Sequence, residues 1–175
     1  MRWRELIVKA IPFLVSFITT GRLHGLRVGS TLGQVDEAIH CKFIDDACRS
    51  GLSLRRDYGF FEFSFNPGPE WVMANCSIQL HRLASGGSMP REWRKSMQVD
   101  FPQYLAWEEL RDALSQVPGL PSMRVTDQGG FLEYRAATAN VNVSVIVNDD
   151  HEARGRSLGH GDVWSISMWA AAPTR

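Results

Sequence analysis

Apolar residues recur with two different periods along this chain, and the two periods follow each other in the same order in both halves. Residues 31–39 (TLGQVDEAI) place apolar side chains at helical spacing, and residues 59–63 (GFFEF) then alternate as a strand does. Residues 107–114 (WEELRDAL) and 130–134 (GFLEY) repeat that succession. The repetition predicts an α+β fold, with tandem helix-plus-antiparallel-sheet units forming one extended sheet with helices on one face.

A hairpin is predicted in the first half. Alternation in residues 55–65 (RRDYGFFEFSF) places three aromatic side chains on the face expected in the core: Phe61, Phe63 and Phe65. The turn residues NPGP at 66–69 and the strand-like NCSIQLHRL at 75–83 complete the hairpin. Before it, LRVGST at 26–31 predicts a short strand that ends in a Ser30 or Thr31 helix cap.

The second half predicts one amphipathic helix followed by four antiparallel strands. The inward stripe of the helix is Leu105, Leu110, Ala113, Leu114 and Val117, and Pro118-Gly119 ends it. The strands are SMRVTD (122–127), FLEYRA (131–136), NVNVSVIVN (140–148) and DVWSISMWA (162–170). A turn at 127–130 joins the first pair, and the polar loop 149–161 joins the last pair.

These patterns divide the chain into an N-terminal docking helix (1–22), a first helix-sheet unit (23–83), a linker loop (84–102) and a second helix-sheet unit (103–175). The linker is rich in Ser, Gly, Pro and Arg, which predicts a mobile loop. We expect the N-terminal helix to dock through Leu6, Ile7, Ile11 and Leu14. A signal or anchor is the alternative for this segment, because an apolar run from Ala10 to Ile18 follows early arginines.

Charge and cysteine content narrow the class of partner. The 19 basic and 19 acidic residues balance, so we expect neither nucleic acid nor a membrane as partner. Three cysteines are too few for a disulfide framework, which favours a cytoplasmic protein with reduced thiols. A bridge between Cys41 and Cys48 remains the alternative.

No familiar catalytic or metal-binding motif is present in the sequence. Cys41, Cys48 and Cys76 lack the close spacing of zinc ligands. The cluster Asp149-Asp150-His151-Glu152 lies beside Arg154 and Arg156, so it is interpreted as a solvated charge run rather than a metal or acid/base site. There is no GxSxG or HExxH, and the Gly-rich 155–162 segment lacks the ending of a phosphate loop. We expect no catalytic residue, no metal and no cofactor.

The face of the predicted strands opposite the apolar one provides the candidate site. It mixes aromatic, charged and small polar side chains, as protein interfaces do, although a one-sided sheet also has a solvated polar face. The candidate partner-binding residues on it are Glu62, Gln79, His81, Glu133, Arg135, Asn142, Ser144, Ser167 and Trp169. Trp71 and Trp93 are added as loop residues, whereas Trp164 is expected in the core with Ile166 and Met168. Glu62 and Glu133 occupy equivalent places in the two repeats.

Three successive segments carry a family resemblance: LRVGSTLGQVDEAI (26–39), a loop that holds HCKFIDDAC (40–48), and the aromatic strand DYGFFEFSF (57–65). They resemble the repeat unit of the beta-lactamase-inhibitor protein and its small outer-membrane lipoprotein relatives. The resemblance implies a helical segment before an antiparallel sheet, a tandem duplication, and a sheet surface that grips a protein partner. The same pattern is similar to small actinobacterial-type immunity proteins, which implies tight blocking of a cognate toxin.

The expected function is therefore non-enzymatic protein binding, as an immunity protein that occludes a toxin with its sheet face. An enzyme or small-ligand binder is the first alternative, with a pocket between the sheet and the 84–102 loop that uses His81, Glu62, Glu133 or Arg135. An envelope or structural interaction protein held by the N-terminal segment is the second.

Overall fold

A single eight-stranded antiparallel sheet organises the protein in its computed structural model. The structure describes residues 8–85, 89, 91–147 and 158–170. The first half contributes, in order, the elements β1 (Val8–Lys9), α1 (Ala10–Thr20), α2 (Leu32–Ala38), β2 (Ile44–Ala47), β3 (Leu54–Asp57), β4 (Phe61–Asn66), β5 (Val72–Ile78) and α3 (His81–Ala84). The second half contributes α4 (Arg91–Met97), β6 (Val99–Asp100), α5 (Trp107–Ser115), β7 (Arg124–Asp127), β8 (Phe131–Ala136), β9 (Val141–Ile146) and β10 (Val163–Trp169). The class is therefore α+β, as predicted.

The strand order is β2-β3-β4-β5-β10-β9-β8-β7, so two four-stranded meanders meet through their last strands. A helix precedes each meander, α2 in the first half and α5 in the second. β5 and β10 join the halves, with Ile78 opposite Ile166 and Cys76 opposite Met168. β1 and β6 form a separate parallel pair.

The sheet has an inner face that is apolar and an outer face that is largely polar. The inner face contains Phe61, Phe63, Phe65, Ile78, Val141, Val143, Ile166 and Met168, all buried in one core. Burying one such side chain contributes about 1.5–3 kcal/mol, so the face fixes the register of every strand that crosses it. The outer face contains the alternate residues, among them Glu62, Ser77, Ser167, Asn142 and Arg135, which follow one another across the strands.

Helices contribute their apolar stripes to the same core. Leu14 and Phe17 of α1, Val35 of α2, and Leu110 and Leu114 of α5 are all buried in it. Thr31 caps α2 in a capping box, because its Oγ1 accepts from the Gln34 N–H (3.2 Å) while Gln34 Oε1 accepts from the Thr31 N–H (2.9 Å). None of the helices in the described part of the chain has the length and apolarity to cross a bilayer.

The segment expected as a mobile linker is part of the core where the structure describes it. Trp93 and Met97 of α4 and Val99 of β6 are buried. Trp93 stacks on Phe61 with ring centroids 4.2 Å apart. Polar and turn-forming residues between these apolar positions concealed that packing in the sequence. Trp93 is 1% exposed, which corrects its assignment as a surface contact.

Four local predictions are corrected. LRVGST is not a strand but a turn, in which Ser30 N–H donates to the Arg27 carbonyl oxygen (2.9 Å). Within HCKFIDDAC, expected as a loop, Ile44–Ala47 form edge strand β2. His81 begins helix α3 and does not continue a strand. Phe60, which the alternation through 55–65 places on the outer face with Glu62, is buried against Phe101 with ring centroids 4.9 Å apart.

The three cysteines are not bridged, and the N-terminal segment forms a helix. Cys41, Cys48 and Cys76 are all free thiols, and burial raises the pKa of Cys76 above its usual range. The N-terminal helix is present from Ala10, with Leu14 buried and Ile11 partly buried. The predictions for Leu6, Ile7 and the 149–157 charge run lie outside the described residues.

Candidate functional site

Strand register places most of the candidate residues on the outer face. Glu62 pairs with Ser77 across β4 and β5, and Arg135 pairs with Asn142 across β8 and β9. Asn142 in turn pairs with Ser167 of β10. Glu133, Ser144 and Trp169 share this parity, so the alternation in the sequence predicted their orientation correctly.

Glu62 and Glu133 are on the same face but do not occupy equivalent strands. β4 lies beside the central β5, whereas β8 is the second strand from the opposite edge. Four strand spacings of about 4.8 Å separate β4 from β8, roughly 19 Å in all. The repeated GFFEF and GFLEY therefore mark hairpins at different places in the sheet, and the two carboxylates act in separate surroundings.

A closed ionic network surrounds Glu62 in the first half. Glu62 Oε1 accepts from Arg82 Nη2 (2.5 Å) and lies 3.5 Å from Arg55 Nη1. Glu62 Oε2 accepts from Gln79 Nε2 at 3.1 Å. The Glu62 side chain is 14% exposed, so these partners replace most of its water.

The network extends to the ends of the neighbouring strands. Arg82 Nη1 also donates to Asp57 Oδ1 (2.8 Å), and Arg55 Nη2 lies 3.5 Å from Asp46 Oδ2. Burial alone would raise the pKa of Asp57, but the Gly59 N–H and Arg82 outweigh burial and lower that pKa below its usual value. Each of the two arginines thus contacts two carboxylates.

An aromatic cluster lies at the sheet end where β8 and β10 begin. The His81 ring stacks on Trp164 with centroids 4.2 Å apart and planes 4° apart, and Trp164 meets Phe131 edge-on at 5.6 Å. A bulge between Val163 and Ser165 turns Trp164 towards Phe131 on the outer face, which corrects its assignment to the core. Burial lowers the pKa of His81.

An open cavity of about 330 Å³ lies at the other end of the second half. It is lined by Glu133, Arg135, Asn140, Asn142 and Trp169. Trp169 is 53% exposed, and Arg135 Nη2 donates to Asn140 Oδ1 at a long 3.3 Å. Asn140 has a positive φ of 50°, which turns the chain from β8 into β9 and directs its side chain to Arg135.

The remaining candidate, Trp71, lies away from this surface. It is partly buried against the core, and its carbonyl oxygen accepts from the Leu32 N–H at 2.8 Å. Sequence reasoning missed Asp57, Arg55, Arg82 and Arg124. Parity within SMRVTD was the available signal for Arg124. Alternation continued through residues 55–65 places Arg55 and Asp57 on the wrong face, because the turn between β3 and β4 shifts the parity. No strand pattern could have found Arg82, because it belongs to α3.

No group of three or more His, Cys, Asp or Glu side chains in the described ranges is arranged to hold a metal ion. The sequence matches no family model and no curated protein. A solved structure of a DUF4309 family protein (YjgB) from Bacillus subtilis aligns over 92% of this chain and 95% of that chain, with 13% identity and a TM-score of 0.39. That similarity is too low to support an argument about fold or function, so the site is interpreted from its own geometry.

Proposed function

We propose that this chain is a non-enzymatic protein-binding protein that occludes its partner with the outer face of the sheet. The carrying observation is the exposed Trp169 beside Arg135 at the open cavity. Tryptophan and arginine are among the side chains most enriched at positions that dominate binding energy in protein interfaces. Small polar side chains of Ser144, Ser167 and Asn142 surround them and leave room for a partner to approach the sheet.

The dimensions of the outer face support this proposal. Eight strands spaced about 4.8 Å apart span about 34 Å, and strands of about six residues give an area on the order of 600 Å². A standard interface buries about 800 Å² per partner, so this face is of the right order for one folded protein. The proposal takes the helices to lie on the inner face, and the burial of α1, α2 and α5 side chains in the inner core supports that placement.

The biological role we propose is that of an immunity protein in the cytoplasm. Such a protein acts by blocking a cognate toxin, which requires tight binding and no catalytic residue. The closed network around Glu62 supports this role, because a preorganised surface loses less conformational entropy on binding. The low cysteine content, three in the whole chain, supports a reducing compartment.

The test is capture of a partner by the full chain from its native host, identification by mass spectrometry, and titration of the two purified proteins. Trp169→Ala is expected to weaken the affinity by about 2 kcal/mol or more, roughly thirtyfold. Leu52→Ala is the matched control, because Leu52 is also an exposed apolar residue (67%) but lies in the β2–β3 turn. Growth of cells that express the partner, with and without this chain, measures neutralisation directly.

Equal affinities for the Trp169→Ala variant and the parent would contradict the sheet-face proposal. A captured partner that does not harm cells would contradict the immunity role while leaving protein binding intact.

A small-ligand-binding function is the second candidate, and the cavity favours it. Its volume of about 330 Å³ lies at the lower end of the range of ligand pockets, roughly 300–1,000 Å³. It lies on the outer face, whereas the described part of the 84–102 segment packs on the inner side, so the pocket differs from the one expected from sequence. Native mass spectrometry of the purified chain separates the two functions. A stoichiometric small molecule that is lost in Trp169→Ala would favour the ligand binder.

A further inference from the structure

Two arginines lie directly opposite each other at the β7 edge of the sheet. Arg124 of β7 pairs with Arg135 of β8, and Arg135 shares the outer face with Asn142. Both arginines are exposed. Directly opposite residues in an antiparallel pair have Cβ atoms about 5 Å apart, so the two guanidinium groups project from neighbouring points of the same face.

This arrangement is unfavourable in the isolated protein. Like charges in directly opposite positions repel and destabilise a strand pair. Among the described residues neither arginine forms an ion pair, and the one hydrogen bond of the pair is the 3.3 Å contact of Arg135 with Asn140. Within the same part of the chain, Glu133 forms no ion pair with either of them, although it lies two residues along β8 from Arg135. The pair therefore has guanidinium donors available for an incoming acceptor.

Arginines on the outer face of the first half are in the opposite state. Arg55 contacts Asp46 and Glu62, and Arg82 contacts Asp57 and Glu62. Within the described residues, the outer-face arginines of the first half are therefore paired with carboxylates, whereas Arg124 and Arg135 of the second half are not. The cavity of Trp169 and Asn142 adjoins Arg135, which provides room for a side chain from outside.

We propose that Arg124 and Arg135 together bind a carboxylate side chain, Glu or Asp, of the protein partner. Each guanidinium group has a planar fork of N–H donors that matches a carboxylate, and charge-assisted bonds of this kind are among the strongest hydrogen bonds in proteins. The aliphatic stem of the incoming residue packs on the Trp169 indole. This inference rests on the proposed function, because it takes the partner to be a protein. It adds that the segment of the partner bound by the second half is negatively charged.

The same arginines would also contact phosphates of a nucleic acid, but the surroundings favour an acidic protein segment. The chain has no net charge to attract a polyanion. Glu133 lines the same cavity, and Glu62 and Asp57 lie on the same face. A single carboxylate at the arginine pair stays clear of Glu62 and Asp57, whereas an extended polyanion crossing the sheet meets them as well as Glu133.

The test is an NMR titration of the ¹⁵N-labelled full chain with the blocked peptide Ac-Gly-Glu-Glu-Gly-NH2 and with its Gln-for-Glu counterpart. The Glu peptide is expected to shift the Nε–H signals of Arg124 and Arg135 and the indole N–H signal of Trp169, whereas the Gln peptide leaves them in place. Arg124→Gln and Arg135→Gln are each expected to weaken binding of the Glu peptide at least about tenfold. Arg55→Gln is the matched control on the same face and leaves it unchanged.

Three outcomes would overturn the inference: equal shifts with both peptides, equal weakening by Arg55→Gln, or tighter binding of a short oligothymidine than of the Glu peptide at the same ionic strength. The double variant Arg124→Glu/Arg135→Glu adds a gain-of-function arm, because it is expected to lose the Glu peptide and bind the corresponding Lys peptide. Thermal unfolding of each variant verifies that it is folded, and the single Gln variants supply the readout if the double variant is not.

These titrations are independent of the partner-capture experiment. Binding of the Glu peptide together with a partner affinity that Trp169→Ala does not change would remove the proposed function and keep the arginine pair as an acidic-group site. Loss of partner affinity in Trp169→Ala without binding of the Glu peptide would do the reverse.

Discussion

The outer faces of the two meanders contain similar charged residues, but these are paired with each other in the first half and unpaired in the described part of the second. In the first half the charged side chains are paired with each other, with Glu62 at the centre of two arginines and a glutamine. In the second half Glu133, Arg135 and Arg124 form no ion pairs within the described residues, and Glu133 and Arg135 border an open cavity. One half thus pairs its own charged side chains, and the other, in the residues described, leaves them unpaired at the surface that we propose as the binding site.

The paired state of Glu62 depends on the segment that follows the last strand of the first meander. After β5 the chain turns into α3, which brings Arg82 over the outer face to Asp57 and Glu62. After β10 the described residues end at Ala170, and no helix in that part of the chain supplies a second arginine of this kind. The second half, as far as it is described, therefore lacks a counterpart of Arg82.

Separate neutralisation of Glu62 and Glu133 is the strongest test of the difference between the two halves. Glu62→Gln is expected to lower the free energy of unfolding by about 2 kcal/mol, because it leaves Arg82 and Arg55 without their shared carboxylate. Glu133→Gln is expected to change it by less than about 0.5 kcal/mol, because no ion pair of the described structure is lost. Urea unfolding of both variants measures the difference, and equal losses would show that the halves are not distinct.

Acid unfolding tests the same network through Asp57. Its folded-state pKa is lowered below the ordinary value of 3.8, so its contribution is fully present above that value and is lost as the pH falls through the lowered pKa. Asp57→Asn is expected to cost about 1 kcal/mol at neutral pH, and the cost should shrink below pH 3.8. Asp127→Asn is the control in the second half, because Asp127 makes the matching turn contact with Gly129 but pairs with no arginine in the described structure. A cost independent of pH would count against the ionic origin.

His81 tests the contact between the halves, because its ring belongs to the first half and stacks on Trp164 of the second. Burial lowers its pKa from the usual 6.5, so the folded state binds a proton less readily than the unfolded chain. Stability should therefore be complete above pH 6.5 and fall as the pH decreases from 6.5 to the lowered value. In His81→Gln this part of the pH dependence of unfolding should be absent, and its persistence would assign the effect to another group.

The smallest effect is expected at the arginine pair. Arg124→Gln removes the repulsion from Arg135 and should stabilise the free protein by a few tenths of a kcal/mol, about 0.2–0.5. Arg55→Gln should instead destabilise it slightly, because Arg55 loses contacts with Asp46 and Glu62. Thermal unfolding of the two variants compares the sign directly, and the same sign in both would contradict the assignment of an unpaired half.

Alternation in the sequence predicted the strands whose inner side chains are large and apolar. It identified β4, β8, β9 and β10, together with the orientation of Glu62, Glu133 and Trp169. It missed β2 because this edge strand exposes Ile44 and turns Asp45 inward to the buried Arg56 at 2.8 Å, which inverts the usual pattern. Because an ion pair replaces the apolar contact on the inner side of β2, the sequence of this strand shows no alternation of apolar and polar residues.

Three other features left no signal in the local sequence. A bulge changes the period by one residue, and no local signal in DVWSISMWA marks it, so Trp164 was assigned to the wrong face. The closed state of Glu62 depends on Arg82, which is separated from it by 20 residues and belongs to another element. The cavity likewise collects side chains from three strands and a turn, and only the sheet order brings them together.

The central seam between β5 and β10 has a consequence for synthesis of the chain. All of the first meander has left the ribosome long before residues 163–169 exist, so β5 must wait with one row of N–H and C=O groups unpaired. Phe61 and Phe63 of β4, with Ile78 of β5 itself, form a strongly apolar surface over that interval. The nascent first half is therefore the stage at which this protein is most exposed to aggregation, and the arrival of β10 ends it.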